Sequence, residues 1–241
     1  MLNAREYAEM LNQQDVAAGQ EPSIENPSIY EKGTDWQDEI LQTALMQNYQ
    51  VAASGGNKDT RYYLSLSMFD QEGVIKKSGI RRYQTRLNLD RKIGNKVNIG
   101  ANFQFSHSAR KPNLVSLGGF DYQSSALATP PTMPIYNEDG SYAADSPSRV
   151  VSNKIDNVVA QLNLRKKEEK STTVYLGVFG DWEPIKGLKF KTSLGLNAST
   201  AKTSEYKPGS LPTMMQNKTK GEARINQSEG YSTCGKTQPT I

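Results

Sequence analysis

Few residues in this sequence have the type and spacing that chemistry requires. The chain contains one histidine, His107, and one cysteine, Cys234. A histidine cluster, a cysteine zinc site and an internal disulfide are therefore excluded. No nucleophile–base pair, phosphate-binding loop or metal-ligand spacing is visible. We expect a protein that is not an enzyme and binds no cofactor or metal.

The acidic residues offer one local cluster, formed by Asp35, Asp38 and Glu39. These carboxylates could bind a cation, but acidic residues also favour the first turn of a helix, which is the simpler interpretation. A hydrolase would need two carboxylates on a shared face. Asp90 and Asp181, at the ends of predicted strands, are the nearest approach to such a pair.

A second set of polar residues alternates with apolar residues along three segments. Its members, which share one face, are Arg61, Tyr63, Arg86, Asn88, Asn102 and Gln104. In residues 60–69 the opposite face carries Tyr62, Leu64, Leu66 and Met68. A period of two sustained over runs of this length is typical of β-strands, not of helices. One face of the predicted sheet is apolar and the other is polar enough to be wet.

Six or seven strands are predicted, together with short helical pieces. The strands are expected at about 47–54, 60–69, 83–90, 97–106, 172–182, 188–197 and, more weakly, 223–231. Helical pieces are expected near 4–13 and 35–40, the second opened by a capping box of Thr34 and Gln37. Residues 158–164 are consistent with either a helical turn or a strand.

The connections between the predicted strands alternate between short and long. Transmembrane β-barrels have short turns at one end, longer loops at the other and strands with apolar-out, polar-in alternation. A soluble sandwich has no reason to place every short turn at one end. The predicted fold is all-β, with antiparallel up-and-down strands of a partial transmembrane β-barrel in contact with membrane lipid. The alternative is a soluble β-sandwich that serves as a carbohydrate-binding module.

Composition agrees with strands that have one wet face. Hydrophobic residues make up 36% of the 241 residues, and the mean hydropathy is -0.67. The net charge is +4 with Lys and Arg scattered, so nucleic acid binding is not expected. No apolar run reaches the length of a membrane-spanning helix. The N-terminus lacks the apolar core of a signal peptide, so the chain as written is not expected to be secreted by itself.

Eight short stretches carry a family resemblance. They are residues 2–8 (LNAREYA), 33–40 (GTDWQDEI), 54–57 (SGGN), 61–66 (RYYLSL), 69–73 (FDQEG), 130–134 (PPTMP), 136–140 (YNEDG) and 185–190 (IKGLKF). Together they resemble the SusC/RagA-like, TonB-linked transporters of the cell outer membrane. The resemblance covers nearly the whole chain.

This resemblance implies a barrel of about 22 strands that contains a plug and imports large solutes, typically oligosaccharides or peptides. It also implies a SusD-like surface lipoprotein as a lid and TonB as the source of energy. Residues 1–46 would then form an extracellular-loop-like segment with short helices. Residues 47–233 would form part of the barrel, with a long loop at 107–170. The six polar residues would face the lumen, where they line a wet wall or touch the plug or solute.

Four aromatic residues fall on the loops that this resemblance places outside the cell. They are Trp36, Phe120, Tyr122 and Tyr136. Aromatic rings in such loops can stack on a sugar, or they can pack against the loop or the lid, and the sequence is consistent with both roles.

The last residues depart from the family pattern. Family members tend to continue the final strand with a Trp-Glu-Asn-Thr stretch, whereas residues 234–241 read CGKTQPTI. Codons for these residues can be chosen so that another frame encodes the family stretch, so we hypothesise a frameshift after Thr233. We also expect the chain to be an internal fragment that does not function alone, because the plug and the TonB box have no counterpart here.

Overall fold

The computed structural model describes residues 2–112, 122–143, 146–147, 154–155, 157–216 and 218–240. Its strands, in chain order, are β1 (Met46–Gly56), β2 (Thr60–Glu72), β3 (Gly79–Ile93), β4 (Val97–Lys111), β5 (Ser146–Pro147), β6 (Lys154–Ile155), β7 (Lys166–Ile185), β8 (Leu188–Lys207) and β9 (Glu222–Thr240). Its helices are α1 (Ala4–Ala17), α2 (Trp36–Ile40), α3 (Tyr122–Ala128), α4 (Val158–Leu164) and α5 (Pro212–Gln216).

Seven strands form one antiparallel sheet in the order β1-β2-β3-β4-β7-β8-β9. Strands that are neighbours in this order pair with each other, and β5 and β6 form a separate two-stranded pair. The predicted fold class, an up-and-down all-β sheet of six or seven strands, is confirmed. Within the described residues β1 and β9 are the edges of this sheet.

The connections have the predicted alternation. Residues 57–59, 94–96 and 186–187 join strands at one end of the sheet, and residues 73–78, 112–165 and 208–221 join them at the other. Gly94 and Gly187 in the short turns have φ of 62° and 92°. Glycine adopts this left-handed conformation without the steric penalty of a Cβ. We call these two sides the short-turn end and the long-loop end.

Several strands extend further than the apolar alternation indicated. β4 continues to Lys111 and β7 begins at Lys166, so the connection predicted at 107–170 occupies 112–165. β9 runs from Glu222 to Thr240 and pairs with β8 throughout. In these extensions both faces are polar, so a strand forms without the periodic signal by which the sequence marks it.

The sandwich alternative is wrong, because no second sheet covers the apolar face in the part of the chain that the structure describes. Val51, Leu66 and Trp182 on this face are 73%, 52% and 51% exposed. A sandwich would bury these side chains between two sheets about 10 Å apart.

The main buried cluster lies in the loops rather than in the sheet. Segments far apart in sequence contribute to this cluster, which we call the loop core: Trp36, Ile40, Ile75, Ala126, Met133, Ala143, Val158 and Val159. The loop core thus unites α2, α3 and α4 with the connection after β2. Residues 158–164, which were left open between helix and strand, are helical as α4.

The helix starts show one correction. Asp35, not Thr34, caps α2: its carboxylate accepts hydrogen bonds from the backbone N–H groups of Gln37 and Asp38, at 3.1 and 3.2 Å. The hydroxyl of Thr34 instead donates to the carbonyl of Met133 at 2.8 Å. Among the described residues, no helix combines the length and apolarity needed to cross a bilayer.

Candidate functional site

The predicted polar residues lie on neighbouring strands of one face, which we call the polar face. Cross-strand pairing sets Tyr63 beside Asn88 and Asn88 beside Asn102. The next row toward the long-loop end pairs Arg86 with Gln104. The structure therefore brings these five residues into one continuous patch on β2, β3 and β4.

A charged row lies nearer the short-turn end of the same face. The sixth predicted residue, Arg61, is directly opposite Asp90, and opposite charges in this arrangement attract. Asp181 is opposite Lys191, and one of its carboxylate oxygens, Oδ1, is buried without a hydrogen-bond partner. Asp90 and Asp181 lie on β3 and β7 with β4 between them, so these two carboxylates do not form an adjacent pair.

A shallow depression of about 230 Å³ is open on the polar face. Three predicted residues, Tyr63, Arg86 and Gln104, line it, whereas Arg61, Asn88 and Asn102 do not. Most of its other lining residues carry amides or hydroxyls, and the full set is Gln50, Ser65, Ser67, Gln84, Thr85, Phe105 and Ser106. Gln50 and Gln84 were not singled out in the sequence, although the same period of two places both on this face.

Aromatic side chains on the polar face lie over glycines. A Cβ on Gly100 would come within 2.3 Å of the Phe179 ring, and one on Gly177 within 2.8 Å of the Tyr175 hydroxyl. The Lys191 ammonium is 5.9 Å from the centroid of the Phe179 ring. These glycines therefore provide the space in which the two rings lie flat along the wall.

The opposite face, which we call the outward face, carries an apolar band of defined height. Its six consecutive positions on β3 are Tyr83, Thr85, Leu87, Leu89, Arg91 and Ile93. Ten residue steps along a strand cover about 33 Å. At the tilt of about 45° usual for barrel strands, this length corresponds to roughly 24 Å. The apolar belt of outer-membrane barrels is about 25 Å tall.

The outward face changes from apolar to charged beyond Tyr83. Arg81 is opposite Asp70, and its Nε lies 2.8 Å from the carboxylate oxygen. In the same row Lys170 is opposite Lys202. At the short-turn end, the rings of Trp182 and Phe190 stack with centroids 5.9 Å apart. Charges thus bound the band at one end and aromatic rings at the other.

An ion pair joins the loops to the sheet at the long-loop end. Arg165, directly after α4, forms it with Glu205 on β8, and both side chains are largely buried. Burial acts to raise the pKa of Glu205, but the hydrogen bond and charge of Arg165, with Lys207 and Lys167, outweigh it and lower the pKa below 4.5. Glu205 therefore stays ionised and holds the end of α4 against β8.

The four loop aromatics have different outcomes. Trp36 is fully buried, and its indole N–H donates to the carbonyl of Pro130 at 3.0 Å, so it packs the loop and offers no face to a solute. Tyr136 is 50% exposed, with its ring 5.0 Å from that of Tyr142. Phe120 lies outside the described residues. Tyr122 begins α3, and only its backbone is described.

Comparison with known proteins identifies relatives along most of the sequence. TonB-dependent receptor P3 of Formosa agariphila is 31% identical over 208 residues, which are 84% of this chain and 20% of that protein. TonB-dependent receptor SusC of Bacteroides thetaiotaomicron is 34% identical over 112 residues, 45% of this chain and 11% of that protein. No protein-family model matches the chain.

Over most of its length the chain is similar to SusC/RagA-like TonB-dependent receptors.

The SusC/RagA-like assignment agrees with a likeness of fold. The structure of the RagAB peptide importer in its closed-closed state matches 97% of this chain and 29% of that chain, with a TM-score of 0.71 and 20% identity. The match spans about a fifth of the length of the receptors from Formosa agariphila. These relatives are receptors, which confirms the prediction that the chain is not an enzyme.

Proposed function

We propose that this chain forms part of the wall of a TonB-dependent importer of the SusC/RagA type in the outer membrane. In this proposal the outward face contacts lipid and the polar face lines the lumen. One observation carries it: large apolar side chains on the outward face of the sheet are exposed, and they alternate along each strand with polar side chains on the other face. Leu64 and Leu66 are 39% and 52% exposed, whereas Ser65 between them is half-buried.

Burial energetics support lipid as the neighbour of this band. An apolar patch that spans the six strands β1 to β4, β7 and β8 is far larger than the few hundred Å² that soluble monomers expose. In water such a surface costs about 25 cal/mol for each Å² left exposed. Lipid removes this cost, and the height of the band matches the hydrocarbon layer.

The two edges of the sheet support the idea that more strands pair with it in the working protein. β1 and β9 each have a neighbour on one side within the described residues. Each unpaired backbone group in hydrocarbon costs several kcal/mol, so barrels close completely. The relatives are more than four times as long as this chain, which leaves ample sequence for a closed barrel and a plug.

The solute that we propose is an oligosaccharide or a peptide. RagAB, which shares the fold, is a peptide importer. The row of amides, hydroxyls and Arg86 on the polar face could bind the hydroxyls of sugars or the amides of peptides with equal ease. Hydrogen-bonding side chains of this kind suit a wall past which a polar solute moves.

The partners in this proposal are TonB and a SusD-like lipoprotein. Residues 2–46 and the described parts of the connection between β4 and β7 lie at the long-loop end, which we assign to the cell exterior. The loop core makes this region a rigid platform for the lipoprotein lid. On it the exposed ring of Tyr136 lies against Tyr142, which is partly buried against the loop core.

The experiment that tests the proposal places a charge on either face. Leu64→Arg in the full-length protein puts an arginine near mid-height of the outward face, because Leu64 pairs with Leu87 in the third of the six rows. If that face meets lipid, folding should weaken by about 2–4 kcal/mol. The variant is reconstituted in lipid vesicles, and urea titration measures its free energy of unfolding.

Ser65→Arg is the matched control, because it adds the same side chain to the adjacent residue on the polar face. We expect only a small loss of stability, since this arginine would remain in water. Equal losses from the two substitutions would contradict the assignment of the faces.

A further inference from the structure

One arginine interrupts the apolar band on the outward face. Arg91 follows Leu89 and precedes Ile93 at alternate positions of β3, so all three share this face. Its cross-strand neighbours are Thr60 and Ile99. Neither neighbour carries a charge, and the structure gives Arg91 no ion pair among the described residues. A charge on a lipid-facing wall needs a partner that the wall itself does not supply.

A groove of about 480 Å³ lies directly beside Arg91. Most of its lining residues belong to the outward face: Leu89, Arg91, Ile99, Ala101, Val178, Gly180, Thr192 and Leu194. Ala101 and Gly180 form its floor, because each has little or no side chain where its neighbours carry branched ones. A Cβ on Gly180 would have no atom closer than 4.0 Å. The groove above Gly180 is therefore open space that no described side chain fills.

The surface of the groove is almost entirely apolar, and its two residues with polar side-chain ends, Arg91 and Thr192, lie in the same row. Its row nearest the short-turn end contains Arg91, Ile99, Gly180 and Thr192, and the Thr192 hydroxyl lies 3.3 Å from that of Thr237 on the next strand. The row above contains Leu89, Ala101, Val178 and Leu194, which are all apolar. This order, from cation and hydroxyls to hydrocarbon, is the order of groups in a phospholipid.

We propose that this groove holds one phospholipid of the leaflet next to the short turns, with its phosphate on Arg91 and an acyl chain over Ala101 and Gly180. The inference rests on the proposed function, in which the outward face meets lipid. Arginine matches phosphate with a planar fork of donors, and its long stem can lie along apolar surface while the guanidinium reaches the headgroup level. The stacked rings of Trp182 and Phe190, one row closer to the short turns, lie at the level where aromatic residues meet headgroups.

Two independent substitutions test the groove in the full-length protein. Arg91→Gln removes the partner of the phosphate, and Gly180→Leu adds bulk to the floor at a position where a Cβ would meet no atom closer than 4.0 Å. Native mass spectrometry after extraction in mild detergent, with phosphatidylglycerol added in increasing amounts, measures how tightly each variant retains phospholipid. We expect each variant to retain one phospholipid fewer, with affinity for it reduced by about tenfold.

Each substitution has a matched control. Lys92→Gln removes the same charge from the neighbouring residue on the polar face. Ala198→Leu adds similar bulk to the outward face outside the groove. We expect both controls to retain phospholipid as the unaltered protein does.

Three results would overturn the proposal. The first is unchanged phospholipid retention in both groove variants. The second is that the groove variants lose a dimeric form while they keep their phospholipid, which would mean that another protein copy covers this face. The third is displacement of the bound species by inorganic phosphate alone, which would mean that the acyl chain contributes nothing.

The phospholipid groove can be disproved while the proposed function still holds. Nitroxide labels at Leu66 report whether the outward face is in lipid at all. If they report lipid while Arg91→Gln keeps its phospholipid, the groove is ordinary membrane wall. If they report water, the proposed function fails as well.

Discussion

The buried apolar side chains lie mostly in the loops and short helices, whereas many large apolar side chains of the sheet are exposed. Trp36 is fully buried in the loop core, and its indole N–H bonds to the Pro130 carbonyl across 94 residues of sequence. The sequence marks Trp36 as a loop aromatic but cannot indicate its partner, because the partner is a backbone atom far along the chain. Its burial, and the capping of α2 by Asp35 in place of Thr34, depend on how the connection after β4 folds back.

We predict that Trp36→Ala destabilises the loop core and leaves the sheet intact. Loss of a buried tryptophan costs about 3–5 kcal/mol, and the Pro130 carbonyl also loses its donor. Hydrogen exchange measured by mass spectrometry should show faster exchange in α2, α3 and α4. The exposed Tyr136→Ala is the control, with exchange in these helices unchanged. Uniformly faster exchange over the whole sheet would contradict an independent loop core.

The Arg165–Glu205 ion pair predicts a pH dependence for the docking of α4. The folded pKa of Glu205 lies below its ordinary value of 4.5. The stabilisation is therefore complete above pH 4.5 and is lost as the pH falls through the lower, folded value. Limited proteolysis of the connection 112–165 should accelerate on acidification in this range.

Glu205→Gln should remove most of this acid sensitivity, with proteolysis already faster at neutral pH. Glu183→Gln, at the opposite end of the sheet, serves as the control and should leave the profile unchanged. An unaltered profile in Glu205→Gln would show that other groups govern the docking.

At the scale of strands, the alternation of residue types predicts pairing best where one face is apolar. β2, β3 and β4 were predicted because the outward positions are apolar and the inward ones polar over the height of the band. Outside the band this contrast disappears, and the ends of β4, β7 and β9 were missed for that reason. The six polar residues lie on one face because a single register relates all three strands, and their contact with a lumen stays a prediction.

Gly100 gives a prediction at this scale. Because a Cβ there would lie 2.3 Å from the Phe179 ring, Gly100→Val should displace this ring and loosen the pairing of β4 with β7. We expect a loss of about 1–3 kcal/mol, as is usual for overpacking. Urea unfolding in lipid vesicles measures it.

The double variant Gly100→Val with Phe179→Ala should recover part of this loss, since the clash is removed. Gly180→Val, on the opposite face and with open space at its Cβ, is the control and should cost less. Equal costs at Gly100 and Gly180 would contradict the close packing of Phe179 on the polar face.

At the scale of the whole molecule, the seven-stranded sheet has one apolar face and one polar face. The sequence predicts this contrast because alternation and connection length are local properties. It cannot predict the loop core, which unites segments separated by the length of several strands. It also cannot select between an oligosaccharide and a peptide, because the polar face offers the same amides and hydroxyls to both.

The central claim is that the outward face contacts lipid while the polar face contacts water. The most direct measurement is the accessibility of nitroxide labels on Leu66→Cys and Ser65→Cys, made in the full-length protein with Cys234 and any other cysteine replaced by serine and reconstituted in lipid vesicles. We predict that the label at position 66 is relaxed by oxygen, which concentrates in lipid, and that the label at 65 is relaxed by a water-soluble nickel complex. Equal access of the nickel complex to both positions would contradict the account.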